Sequence, residues 1–194
     1  MSKTAVILAG GLGTRLKSIV NEVPKPMADI NGKPFLFYLL TYLKRNNIEE
    51  VILSVGYKHH IISNYFGSNF KGISIKYSIE KEPLGTGGGI KKSLQLSKEE
   101  NIFILNGDTL FSIDFQIMRK FHNIKKSKLT IALRKKEQKD RYGSVEIDSK
   151  NQIKDFGNEK GEYINGGIYL INKKKFLSID FSEKFSFESD FIKK

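Results

Sequence analysis

The sequence predicts an α/β protein built on an open, mostly parallel sheet. Three short apolar runs, at residues 4–9, 51–55 and 102–105, are typical of strands that are buried on both faces. Segments with apolar residues at helical spacing lie between these runs. Such an alternation of strand and helix is the pattern in which helices cover a parallel sheet.

Each helix in this first half has a local reason. The predicted helices cover residues 34–43, 61–66 and 86–96. Pro34 stands where the first helix begins, a position that tolerates proline, and Gly67 closes the second. The third is predicted despite its glycines, because Ile90 and Leu94 share one face. A further strand is predicted at residues 73–79, where apolar and polar residues alternate.

Past residue 127 the pattern changes to short strands separated by polar turns. These predicted strands cover residues 129–133, 143–147, 152–156 and 163–171. They favour an antiparallel half that caps one edge of the sheet. Because the sequence shows neither an internal repeat nor a clear linker, we expect one domain over residues 1–194, with lobes at 1–125 and 126–194.

The chain is strongly basic, with 33 Lys and Arg against 21 Asp and Glu, for a net charge of +12. This balance points to an anionic partner. The excess is spread out, with 13 basic and 6 acidic residues in 1–97 and 20 and 15 in 98–194. Short lysine clusters without a basic tail favour solvated faces over nucleic-acid binding.

Composition also excludes several kinds of chemistry. With no Cys, the chain has neither disulfides, nor thiolate zinc sites, nor a Cys nucleophile, and three His without H-x-x-x-H spacing do not suggest a metal site. No apolar run approaches the roughly 20 residues that cross a bilayer, and the first residues lack a signal-peptide layout. We expect a cytoplasmic protein with no membrane partner.

The loop after the first strand, L-A-G-G-L-G-T-R-L at residues 8–16, predicts a phosphate site. Its glycines let backbone N–H groups approach phosphate oxygens, and Arg15 adds a guanidinium. It lacks the dinucleotide fingerprint, since Leu16 stands where the last Gly would be, and no G-K-[ST] of a P-loop occurs. A tight turn alone would not explain Thr14 and Arg15.

A second basic group follows in V-P-K-P-M at residues 23–27. Lys25 lies between two prolines, which restrict the backbone and make a stiff mount for an ammonium group. Taken alone, this segment is a surface turn with a solvated Lys. After the glycine loop, a phosphate contact is the favoured interpretation.

Together, these two segments resemble the signature of the sugar-1-phosphate nucleotidylyltransferases, which join an NTP to a sugar 1-phosphate and release pyrophosphate. The resemblance implies a Rossmann-like mixed, mostly parallel sheet flanked by helices, with a smaller antiparallel sugar-binding lobe after residue 125. It implies catalytic roles for Arg15, Lys25 and Asp108, with Asp108 holding Mg²⁺. The implied nucleotide-binding residues are Leu8, Ala9, Gly10, Gly11, Gly13, Thr14, Arg15, Lys25, Glu80, Gly85, Thr86 and Asp108.

Later segments extend the resemblance to about residue 171. E-K-E-P-L-G-T-G-G at 80–88 resembles the loop that packs on base and sugar, and N-G-D at 106–108 resembles the metal-binding turn. Y-G-S-V, E-K and N-G-G-I-Y resemble elements that contact the sugar and its phosphate. The implied sugar phosphate-binding residues are Asn106, Tyr142, Gly143, Glu159, Lys160, Asn165 and Gly166.

The resemblance narrows the choice of sugar 1-phosphate and nucleotide, and the chemistry of Glu80 bears on the choice of nucleotide. The chain is most similar to guanylyltransferases that act on D-glycero-α-D-manno-heptose 1-phosphate. Guanine presents N–H donors on its Watson–Crick edge and an ionised Glu80 can only accept, so GTP is favoured. Uridylyl or guanylyl transfer to N-acetylmuramate, mannose or glucose 1-phosphate stays open, and the resemblance is compatible with a homo-oligomer.

The sequence departs from the family at its end. The family has a second metal-binding Asp, near a D-x-G-T-P or D-I-G-x-P-E-D element, and this sequence contains neither element. Residues 185–194 resemble the family's F-S-x-E segment, which precedes that missing part. Asp190 is a weak substitute. We expect either a chain truncated at its C-terminus or a form that has lost one ligand. The latter could be a catalytically weak, nucleotide-binding regulatory subunit.

Overall fold

The computed structural model describes residues 3–11, 23–137, 144–158 and 161–193. The strands are Thr4–Leu8 (β1), Asp29–Ile30 (β2), Lys33–Pro34 (β3), Glu50–Val55 (β4), Asn69–Phe70 (β5), Ile73–Ile79 (β6), Asn101–Asn106 (β7), Leu129–Lys135 (β8), Ser144–Ile147 (β9), Ile153–Asn158 (β10) and Tyr163–Asn172 (β11). The helices are Phe35–Arg45 (α1), His59–Phe66 (α2), Gly85–Leu94 (α3), Phe115–Ile124 (α4) and Lys173–Leu177 (α5), with a 3-10 turn at Lys25–Met27 and a π-helical turn at Phe187–Ile192.

Nine of these strands form one mixed sheet, which confirms the predicted fold class. Its parallel part has the order β7-β1-β4-β6, with β5 antiparallel beside β6. The register places Leu8 level with both Ser54 and Asn106. The parallel strands therefore end together, at what we call the carboxyl edge, which is defined by Leu8, Val55, Ile79 and Asn106.

Both faces of the sheet are covered, as the apolar runs predict. Along β1, Ala5 and Ile7 face one core, which contains the buried leucines of α1, while Val6 faces a second core beneath α3. All three side chains are fully buried. A strand at the centre of the sheet thus has no polar face, because alternate side chains enter different cores.

The antiparallel half continues the same sheet. Strand β11 pairs with β7, with Ile168 opposite Leu105, and it also pairs with β8 and β9. Pairing with a central strand brings the first half of β11, before Ile168, to the carboxyl edge, next to the end of β7. The four strands predicted for this half are confirmed within the described residues.

Helix α4 is not among the helices that the sequence predicts. It begins after Asp114, whose Oδ1 accepts hydrogen bonds from the backbone N–H groups of Gln116 (2.7 Å) and Ile117 (3.0 Å). An Asp in this position is a common helix start, and it was the available signal. Among the described residues, no helix combines the length and the apolarity that crossing a bilayer demands.

Candidate functional site

The carboxyl edge gathers the loops that follow β1, β4, β6 and β7. Backbone hydrogen bonds join them: the N–H of Ala9 donates to Ser54 O (2.8 Å), and the N–H of Gly107 donates to Leu8 O (3.0 Å). In open α/β sheets, ligands bind beyond the carboxyl ends of the strands. This edge is therefore the place to look for a site.

Two glycines allow these loops to approach one another. A Cβ added to Gly107 would lie 2.3 Å from Leu8 O, so no side chain fits at that position. A Cβ on Gly10 would lie 3.2 Å from the backbone nitrogen of Gly56, whereas one on Gly11 would meet open space. The exposed backbone of Gly11 is thus accessible to a ligand. The predicted residues Gly13, Thr14 and Arg15 lie outside the described residues.

Lys25 and Asp108, which stand 83 positions apart, meet at the carboxyl edge, where Lys25 Nζ forms an ion pair with Asp108 Oδ2. The mount of Lys25 is the 3-10 turn, in which Pro26 is buried. The two side chains remain 39% and 41% exposed, so both can be reached from solvent. The structure brings these two predicted catalytic residues together.

The donor set around Asp108 fits a magnesium ion that arrives with a phosphate ligand. Asp108 offers a half-exposed carboxylate, whose Oδ1 also accepts a hydrogen bond from Thr109 Oγ1 at 3.2 Å. Mg²⁺ commonly binds one or two protein carboxylates and takes its remaining ligands from water and substrate phosphates. Among the described residues, no three Asp, Glu or His side chains are grouped to hold a metal by themselves.

Glu80 ties the end of β4 to the loop before α3. Its Oε1 accepts a hydrogen bond from Ser54 Oγ (2.9 Å), and its Oε2 accepts one from the N–H of Leu84 (3.1 Å). The carboxylate therefore holds the loop that leads into α3. A carboxylate has about four lone-pair sites, so base recognition by Glu80 stays a prediction alongside this structural role.

The glycines of α3 accommodate a segment near the C-terminus. A Cβ on Gly87 would lie 2.2 Å from the ring of Phe185, and the N–H of Gly87 donates to Phe185 O (3.0 Å). Gly85 has a positive φ of 72°, and a Cβ there would lie 2.5 Å from Phe185 O. The hydroxyl of Thr86 accepts from the N–H of Phe187 (2.8 Å). This packing explains the glycines at positions 85 and 87.

A hydrogen-bonded network lies where β11 passes the carboxyl edge. Asn165 Nδ2 donates to the Tyr169 hydroxyl (2.6 Å) and to Glu188 Oε1 (3.0 Å), and the Tyr169 hydroxyl donates to the same Oε1 (3.1 Å). Burial and the nearby negative charge of Glu188 raise the pKa of Tyr169 far above its ordinary value, so the phenol stays protonated. Asn106 also interacts with this phenol.

The remaining predicted sugar-side residues divide into two groups. Gly166 is buried, and a Cβ there would lie 2.3 Å from the ring of Phe111. Tyr142, Gly143, Glu159 and Lys160 lie outside the described residues. The carboxylate of Asp190 accepts from the N–H of Ser186 (2.8 Å), which ties it to its own turn.

Sequence reasoning missed three residues that build this edge. Ser54 holds Glu80, Phe185 fills the space left by the glycines of α3, and Glu188 joins the β11 network. Ser54 interrupts an apolar run, and its polar hydroxyl was the available signal. The phenylalanine and the glutamate lie about 100 residues from α3 in the sequence, so their partners could not be read from spacing.

Comparison with known proteins finds a matching family and close relatives. The Nucleotidyl transferase family model matches residues 4–194. A D-glycero-alpha-D-manno-heptose 1-phosphate guanylyltransferase of Aneurinibacillus thermoaerophilus is 52% identical, covering 98% of this chain and 84% of the relative. Its counterpart in Campylobacter jejuni is 51% identical, over 95% of this chain and 82% of the relative.

A solved structure shares the fold closely. HddC from Yersinia pseudotuberculosis, in complex with GMP-PN, superposes with a TM-score of 0.86 at 39% identity, covering 98% of this chain and 85% of that one. The sheet, the carboxyl-edge site and these matches define the class: the chain belongs to the nucleotidyl transferase family. Within that family it is similar to the heptose 1-phosphate guanylyltransferases.

Proposed function

We propose that the chain transfers a guanylyl group from GTP to D-glycero-α-D-manno-heptose 1-phosphate, giving the GDP-sugar and pyrophosphate. The observation that carries this proposal is the meeting of Lys25 and Asp108 at the carboxyl edge, beside an exposed glycine backbone. Two relatives that share about half their residues with this chain are guanylyltransferases for this sugar phosphate, which supports the choice of substrates.

The reaction asks the protein mainly to position and neutralise two polyanions. A phosphate oxygen of the sugar phosphate attacks the α-phosphorus of GTP, the bond from that phosphorus to the bridging oxygen breaks, and pyrophosphate leaves. The attacking oxygen is already ionised near neutral pH, so no general base is needed. This agrees with the edge described above, which presents charged groups and backbone amides.

Each charged residue then has a role. The N–H groups of Gly10 and Gly11, with Arg15, hold the β- and γ-phosphates. Lys25 contacts phosphate near the reacting centre, and Lys160 holds the sugar phosphate. Asp108 would hold Mg²⁺, which would supply neutralising charge to the phosphates. The cytoplasm, where GTP is available, is the compartment that this reaction requires, and a homo-oligomer stays a prediction.

A substrate panel tests the proposal directly. The purified chain is incubated with Mg²⁺, one of the four NTPs and one of the 1-phosphates of heptose, mannose, glucose or N-acetylmuramate. Pyrophosphate release and product mass are measured. We expect GDP-heptose as the dominant product. UDP products, or another sugar, would replace the proposed substrates, and nucleotide binding without turnover would favour a regulatory subunit.

A further inference from the structure

Glu188 differs from the other carboxylates of the site in how its two oxygens are used. Its Oε1 accepts two hydrogen bonds, from Asn165 Nδ2 (3.0 Å) and from the Tyr169 hydroxyl (3.1 Å). Its Oε2 has no hydrogen-bond partner among the described residues, and the residue is exposed. One half of this carboxylate is thus fixed in place, while the other half is available to a ligand.

The polar groups of Asn165 and Tyr169, the neighbours of Glu188, already make hydrogen bonds within the protein. The amide nitrogen of Asn165 donates to both Tyr169 and Glu188, and its Oδ1 accepts from the N–H of Gly167 (2.9 Å). Tyr169 is 1% exposed. Asn165 and Tyr169 therefore orient the carboxylate, and the free acceptor that this network presents is Glu188 Oε2.

The position of Glu188 joins the two halves of the site. The preceding residue, Phe187, donates its N–H to Thr86 at the start of α3, in the loop predicted to contact base and sugar. Across from it, a Cβ on Gly167 would lie 3.0 Å from Asn106 Nδ2, so β11 and the end of β7 are in close contact here. Glu188 lies between the predicted nucleotide loop and the predicted sugar residues.

The chemistry of a carboxylate selects its partner. It accepts hydrogen bonds and donates none, and its negative charge repels phosphate groups. Hydroxyl groups of a sugar ring are the complementary donors, and a hydrogen bond to a charged acceptor is stronger than a neutral one. Preorientation by two donors lowers the entropic cost of making that bond.

We propose that Glu188 is a specificity-determining residue, whose Oε2 accepts a hydrogen bond from one ring or side-chain hydroxyl of the sugar 1-phosphate. This inference rests on the proposed function, because it needs a sugar phosphate at the carboxyl edge. It assigns to Glu188 a ligand contact that the sequence motifs gave to other residues.

The test is a binding cycle that combines one variant with modified sugars. Dissociation constants for the sugar 1-phosphate and its monodeoxy analogues are measured by calorimetry, with the wild type and Glu188→Gln, in the presence of a non-hydrolysable GTP analogue. Gln can keep the bonds at Oε1 but places an N–H₂ group, a donor, at the position of Oε2. Glu183→Gln, at an exposed position, is the matched control.

We expect one monodeoxy analogue to bind the wild type about 10-fold more weakly than the parent sugar, the scale of one lost hydrogen bond to a charged group. In E188Q the parent should weaken by a similar factor and that analogue should show no further loss, while affinity for the GTP analogue and the melting temperature stay unchanged. Equal weakening of every analogue, or of the GTP analogue as well, would overturn the assignment and leave Glu188 as a structural clamp. Should E188Q unfold, Glu188→Asp takes its place with the same readings.

This design distinguishes a failure of the proposed function from a failure of the assignment of Glu188. The cycle uses whichever sugar 1-phosphate binds the wild type, so a sugar other than the heptose overturns the proposed function and leaves Glu188 to its own result. Binding of the heptose phosphate without any coupling to residue 188 overturns only the inference. A wild type that binds no sugar 1-phosphate overturns both.

Discussion

The polar groups at the two ends of the parallel strands, the carboxyl edge and the edge opposite it, differ in their exposure. Near the edge opposite the site, buried polar side chains contact other polar groups: Asn172 Nδ2 donates to Glu100 Oε1 and to Asn101 Oδ1, both at 3.1 Å, and Nδ1 of His122 lies 2.8 Å from Thr130 Oγ1. At the carboxyl edge, Lys25 and Asp108 form a half-exposed pair. These buried groups of the first edge serve stability, whereas the Lys25–Asp108 pair at the second is accessible to ligands. Substitutions at both edges test that division.

The largest effect is expected at Asp108. Asp108→Asn removes the charge that would hold Mg²⁺, and we expect kcat/KM to fall at least about 100-fold, the scale of a lost preorganised electrostatic group. Because this carboxylate is exposed and contributes little to the core, the melting temperature should change little. Steady-state kinetics and thermal unfolding measure the two quantities.

Asp180→Asn is the matched control for this variant, since Asp180 is also exposed and lies outside the site. It should leave both turnover and melting temperature unchanged. Near-normal turnover of Asp108→Asn would remove Asp108 from the site, and a large loss of stability would contradict the division between the two edges.

His122 should show the opposite behaviour, with a large effect on stability. It is 2% exposed, and burial, followed by the positive charge of Lys175, lowers its pKa to about 4. Between pH 6.5 and 4, the unfolded chain binds a proton there and the folded chain does not, so stability falls as pH falls through this window. The full loss is about 3 kcal/mol, from 1.36 kcal/mol per pKa unit.

Urea unfolding at pH 7, 5.5 and 4.5 measures this loss, and His122→Gln, which does not titrate, should flatten the acid side of the curve. Turnover at pH 7 should be unchanged in the variant. Among the described residues, His122 Nε2 is buried without a partner, so a proton there would lack an acceptor. An equally steep acid loss in the variant would assign that loss to other groups.

Lys25 should come next in size. Lys25→Ala removes an ammonium group on a stiff mount, and we expect a loss of roughly 2 kcal/mol in transition-state stabilisation. Lys174→Ala, at an exposed position of α5, controls for the loss of one surface charge. The ratio of kcat/KM values gives the free energy directly. An unchanged kcat/KM would make Lys25 a solvated surface lysine.

Local patterns predicted the parts of the molecule that depend on neighbours in sequence. The apolar run that became β1 is buried on both faces and the run that became β6 alternates between buried and less buried residues, as predicted, because side-chain periodicity reports burial directly. The proximity of Lys25 and Asp108 could also be expected from the sequence, since the loops that follow parallel strands lie at one edge of the sheet.

Contacts between distant segments were beyond the same reasoning. The glycines of α3 lower the helix propensity of this segment, and the reason for two of them lies far away in the sequence: Gly85 and Gly87 make room for the backbone and the ring of Phe185. Glu188 was missed because its partners, Asn165 and Tyr169, are brought to it by the pairing of β11 with β7. A single sequence gives no measure of such pairings.

The smallest effect is expected at Glu80. It is also the most direct test of whether a group at the carboxyl edge serves structure or ligand binding. In Glu80→Gln the side-chain amide can still accept from the N–H of Leu84 and donate to Ser54 Oγ, so the loop stays tied while one acceptor is lost. If Glu80 also contacts guanine, the preference for GTP over UTP should fall by about 1 kcal/mol, or roughly five-fold. Glu80→Ala, which releases the loop, should instead raise KM for both nucleotides alike. The ratio of kcat/KM for GTP to that for UTP, measured in both variants, separates base recognition from the structural role. An unaltered ratio in Glu80→Gln would show that Glu80 serves structure, although it lies at the carboxyl edge.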